Sequence, residues 1–219
     1  MTSISRPLVR NEVPAIPLLL KFAYTAFMGV LIPTYLHTYG PREFLWFCDI
    51  GLLLALPALW LENSLLASTS AVGVLIAQAI WIADFFGHPI GLRIFGAAGY
   101  MFDPTYTHLI RGISLFHIWF PILILWTVHR LGYDRRAFAL QTIICIVTLM
   151  ICRICFIPPN PAIHCNLAVN ENCVFGLGAS AWRPVSETVW LMCLTVGMPM
   201  VFYWPTHKIL GWAFPAHRE

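Results

Sequence analysis

Apolar residues in this chain gather in blocks about as long as a bilayer is thick, rather than in the one-sided stripes of a soluble helix. Six such blocks, at about 16–36, 44–60, 64–86, 110–128, 138–157 and 185–204, each predict one membrane-crossing helix. The alternating ten-residue pattern of a barrel strand is missing. The fold class expected is therefore all-α: one polytopic bundle of six transmembrane helices over residues 1–219. Pro158, Pro159 and Pro161 stop the fifth span, because proline lacks the N–H that a helix needs. Pro57, Pro121 and Pro199 fall inside spans, where they kink helices and open space between them. Two long loops remain, 87–108 and the stretch from 158 to about Arg183. The 91–101 part of the first is apolar enough to lie at the interface or dip back in.

Composition agrees with the pattern. The chain is 59% hydrophobic and 11% charged, with a mean hydropathy of +0.74, against roughly 25% charged in a soluble domain. A net charge of +3, spread along the chain, argues against a nucleic-acid partner. The first apolar run follows Arg6 and Arg10 without a small-residue cleavage motif, so a retained span is expected rather than a secretory signal. Lys21, near one end of that span, is expected to snorkel.

Charge placement sets an orientation. Arg6, Arg10, Lys21, Arg130, Arg135, Arg136, Lys208 and Arg218 fall on one side, and Arg42, Arg93 and Arg183 on the other, eight against three. Both termini are therefore expected in the cytoplasm and both long loops outside. An integral protein of the bacterial inner membrane is expected, with lipid as solvent and candidate substrate.

The candidate chemistry starts from Ile110–Gly132, an apolar run with His117 inside it. An ionisable residue within a span marks a functional site by default. At 1.5 Å per residue, Cys48 and Asp49 lie roughly 6–8 Å below the outer end of the second span, and His117 about 10 Å below that of the fourth. Asp84, Arg153, Cys155 and Glu187 fall near the same outer end. Together they predict a polar cup. Nucleophilic catalysis would use Cys48 as nucleophile, His117 as base and Asp49 or Asp84 to orient the imidazole, with Arg111 or Arg153 on the oxyanion. Ser114, one turn before His117, is a second candidate nucleophile. In the rival reading, Cys48 is a small buried hydrophobe and His117 an interhelical strut. Asp49, about 100° round the helix from Cys48, cannot face the same point equally well.

Eight His and seven Cys invite a metal or haem, but no HxxxH pair occurs within a span and the cup has one central His, so no cofactor is expected. Cys152 and Cys155 form a CxxC that reads as helix packing. Cys165 and Cys173 could close a disulfide over nine residues of the outer loop. Trp46, Trp60, Trp81, Trp182, Trp204 and Trp212 fall at span ends, as an interface belt does.

Two phrases carry a resemblance. FLWFCDI at the head of span two resembles the Cys-bearing start of that span in the YwaF-like bacterial integral membrane family, and NENCVFGLG, before a final span with WP near its end, resembles that family's Asn-aromatic motif. The six-span layout with a histidine in SLFHIWFPILIL is similar to the androgen-induced and androgen-dependent-TFPI-regulating membrane proteins, which hydrolyse fatty-acid esters of hydroxy fatty acids with a Thr and a His. A relative of the YwaF-like group transfers acyl chains between phospholipids with a Cys and a His. The resemblance implies Cys48 as nucleophile, His117 as base and a loop-ordering or site role for Asn172. The hydrolases' threonine falls nearer Trp46, where no Thr stands, so the acyl-transfer branch is the closer one.

The function expected is a membrane-embedded acyl-ester hydrolase or acyltransferase acting from the outer leaflet. The alternatives are a non-catalytic subunit or scaffold associated with other membrane subunits, and a transport, haem- or quinone-binding bundle.

Overall fold

The computed structural model describes residues 16–92, 96–159, 169–177 and 181–214, which form an all-helical bundle. Its helices are α1 (Leu18–Thr38), α2 (Phe47–Trp60), α3 (Ser64–Gly87), α4 (His108–Ser114), α5 (Phe116–Leu131), α6 (Ala137–Cys155), α7 (Glu187–Gly197) and α8 (Trp204–Ala213). Short 3-10 turns cover Pro41–Leu45, His88–Ile90, Gly99–Phe102 and Glu171–Cys173. Five rods, Leu18–Thr38, Ser64–Ile90, His108–Leu131, Ala137–Cys155 and Glu187–Ala213, are long and apolar enough to cross a membrane. Large apolar side chains such as Ile122, Ile154, Met192 and Ile209 point outward, as hydrocarbon solvent requires of an integral membrane protein.

The sixth expected span behaves differently. α2 has 14 residues, roughly 21 Å at 1.5 Å per residue, short of a hydrocarbon core of about 30 Å. Gly40, at φ 79°, and extended Trp46 turn Pro41–Leu45 into a separate 3-10 segment, so the helix starts late. Two other expected spans are interrupted. Leu115 separates α4 from α5, and a π-helical turn, Met198–Tyr203, joins α7 to α8 where Pro199 has no N–H to donate.

Glycine sets the tightest contacts. A Cβ on Gly51 would collide with Val74, and one on Gly73 would come within 2.6 Å of the Gln141 amide, so α3 lies close against α2 and α6. Ser70 uses the first approach to donate from Oγ to the Gly51 carbonyl at 2.9 Å.

Hydrogen bonds fix how the rods run. Gln78 meets His117 and Ser68 meets Asp134, so α3 and α5 are antiparallel. α2 and α3 form a hairpin through 61–63, which makes α2 and α5 run in the same sense. One end of the bundle therefore holds Lys21, Glu62, Ser68, Asp134 and His207. The other holds Tyr35, Cys48, Asp84, Ser114, His117, Cys152 and Glu187. Lys21 does not snorkel: it is buried and pairs with Glu62 at 2.7 Å. Arg6, Arg10, Arg93, Cys165 and Arg218 lie outside the described residues, and with them the Cys165–Cys173 bridge and part of the charge count.

Candidate functional site

The site begins at the head of α2, which has no cap of its own. Trp46 offers no side-chain acceptor, and the Phe47 N–H donates instead to Asn172 Oδ1 at 3.2 Å, from 125 residues away in sequence. Asn172 Nδ2 in turn donates to the Leu45 carbonyl at 2.6 Å. Asn172 sits at φ 52°, a left-handed conformation that asparagine tolerates better than most residues. Glu187 holds the same loop down, accepting from Arg153 at 3.0 Å and Arg183 at 2.8 Å, while Arg183 also donates to the Phe175 carbonyl at 2.7 Å. Asn172, Arg153 and Glu187, expected at a binding site, thus clamp a loop onto the helix that carries Cys48.

On the first turn of α2 the Cys48 thiol donates to Asp49 Oδ2 at 3.5 Å, so the two side chains meet despite their angular separation on the helix. Asp49 is buried, and its other oxygen, Oδ1, has no hydrogen-bond partner. His117 makes a short contact, 2.7 Å from Nδ1 to Gln78 Oε1. An amide oxygen can only accept, so Nδ1 is the donor in this contact, and in the neutral ring that leaves the lone pair on Nε2. The ring packs against Trp81 and Phe116, with centroids at 4.4 and 4.0 Å. Gln78 is buried with no partner for its Nε2. One turn before His117, buried Ser114 lies 3.5 Å from the Tyr35 hydroxyl.

The register brings thiol and imidazole to one height. The Cβ position of Gly51 is 3.6 Å from the Phe120 ring. Cys48 precedes Gly51 by three residues and His117 precedes Phe120 by three, on helices running the same way. Each therefore sits roughly 4.5 Å beyond that contact, on the side of its helix that makes it. The two are not hydrogen-bonded to each other.

Other expected partners lie elsewhere. Asp84 accepts from the Ala97 N–H at 2.8 Å and so ties the 96–102 loop over α3, and the carboxylate expected on His117 is replaced by Gln78. Arg111 lies 3.4 Å from His108, and Arg153 pairs with Glu187. Trp81 is buried against His117 instead of standing in an interface belt. Cys152 is buried and Cys155, three residues on, is exposed. Among the described residues no group of three or more His, Cys, Asp or Glu could hold a metal ion. Sequence reasoning passed over Gln78, although a lone amide within SLLASTSAVGVLIAQAIWIADFFG was a signal of the same kind as His117.

Outside the spans, burial and charged neighbours shift the Glu43 and Glu171 carboxyls. Burial first, then Glu171, pushes Glu43 up from 4.5 to about 7, with Arg42 opposing. Burial likewise raises Glu171, against the pull of Arg42. Between α1 and α5 runs an apolar groove of about 470 Å³, lined by Leu20, Ala23, Tyr24, Phe27, Trp119, Ile122, Leu123 and Trp126. Its Phe27 end packs on Phe116, next to His117. Comparison with protein-family models, curated proteins and solved structures finds no match.

Proposed function

We propose that this protein is a membrane-embedded acyl-ester hydrolase or acyltransferase in which Cys48 is the nucleophile and His117 the base. The observation that carries the reading is the His117–Gln78 bond: in the neutral ring it directs the lone pair to Nε2, the form a general base requires. The shared height of Cys48 and His117 supports it, and so does a groove of a size that suits an acyl chain.

In this mechanism the thiol rotates from Asp49 toward His117. Sγ attacks the ester carbonyl as its proton passes to Nε2, and the departing alkoxide takes that proton. Water or a second lipid hydroxyl then gives a proton to Nε2 and attacks the thioester, and the thiolate recovers the proton. Arg153 and Arg111 have no part in it.

The test is intact-mass detection of an acyl adduct on the detergent-solubilised protein after incubation with a p-nitrophenyl acyl ester. Cys48→Ala should abolish the adduct, and His117→Ala should slow its formation by about 10²–10⁴-fold. One observation favours a second reading, that of a non-catalytic membrane subunit: the thiol rests on a carboxylate rather than on the imidazole. Adduct formation unchanged by either substitution would support that reading instead.

A further inference from the structure

Gln78 is a buried amide with one half in use. Its oxygen accepts from His117 Nδ1, and its Nε2, a two-proton donor, has no partner. Leaving such a donor unmet is costly, so an unmatched one beside a base points to something supplied from outside the chain.

Position supports this. Gln78 lies four residues beyond Val74, which touches Gly51, and Cys48 lies three residues before Gly51 on the antiparallel partner. By rise alone, the amide and the thiol are within roughly 2 Å of the same height. Asp49 Oδ1, the unpartnered acceptor, is one residue further along.

We infer that Gln78 has two tasks: its Oε1 sets the tautomer of His117, and its Nε2 donates to the carbonyl oxygen of the bound ester as negative charge develops there. This rests on the acyl chemistry proposed above and names the oxyanion donor that neither arginine supplies. The ligand class follows: a neutral acyl ester or thioester, whose carbonyl oxygen accepts what the fold leaves unmatched.

The experiment pairs a spectrum with kinetics. Two-bond 15N–1H correlation of 15N-histidine-labelled protein, with His117→Gln to identify the resonance, should show His117 as the Nδ1–H tautomer. Gln78→Glu keeps the acceptor and deletes the donor. It should preserve that tautomer yet lower kcat for adduct formation by about 10²–10³-fold with KM little changed. Gln78→Met, of similar shape, deletes both functions and should release the ring to the Nε2–H tautomer with a loss at least as large. An Nε2–H tautomer in the native protein, or kcat in Gln78→Glu within threefold of native, would overturn the inference while leaving the Cys48–His117 reading intact. Adduct formation that survives Cys48→Ala would overturn that reading, whatever the spectrum shows.

Discussion

Both ends of the bundle hold matched polar pairs, but the thiol end adds unmatched groups on the helices around Cys48 and His117. At one end Lys21 meets Glu62 at 2.7 Å, Tyr133 meets His207 at 2.7 Å and the Asp134 N–H meets Ser68 at 2.9 Å. At the other, Asp49 Oδ1 and Gln78 Nε2 are buried with nothing to bond. Matched groups fix geometry. Unmatched ones lower stability, and a fold keeps them where a ligand or a reaction completes the set.

The comparison can be broken most forcefully at the Lys21 end. Lys21→Met takes the cation from the part-buried Glu62 carboxylate and should cost about 3 kcal/mol, seen as a lower melting temperature in detergent. Adduct formation per folded molecule should stay at the native rate. Adding Glu62→Gln should recover most of the loss, since removing both charges also removes the desolvation cost.

Asn172→Ala should cost about 2 kcal/mol, for two bonds to the backbone flanking α2, and should slow adduct formation at least tenfold. Asn63→Ala, which removes the ordinary cap of α3, should cost about 1 kcal/mol with no change in rate. Asp49→Asn sharpens the contrast from the other side. Replacing an unmatched carboxyl should raise stability by about 0.5–1 kcal/mol while adduct formation falls.

A pH dependence reads the same contrast by titration instead of by substitution. Glu43 is protonated in the fold up to about pH 7, while the unfolded chain releases that proton near 4.5. The folded state binds more protons over this window, so stability should decline from about pH 4.5 to 7 and level off above it. Glu43→Gln should flatten the slope in a thermal-shift series.

Much of this was legible in the residues. Hydrophobic block length found the rods, and an imidazole inside a span pointed to His117, which the fold buries against Gln78. The start of α2 was not legible, because an asparagine 125 positions away supplies its cap. Nor was the orienter of His117. Pairing between α3 and α5 gives His117 Gln78 in place of the expected Asp49 or Asp84, and helix periodicity alone carries no information about such a contact. Lys21 followed tertiary structure too, since Glu62 reaches it from the link between two later helices.

The long-range cap on α2 also has a bearing on biogenesis. The helix that bears the thiol leaves the ribosome early, too short to bridge a bilayer and with its first amide waiting for Asn172. A nascent chain halted before that loop has every residue named for the chemistry but no fixed starting point for the helix that presents Cys48. Competence should therefore arrive abruptly, once the last third of the protein has been made.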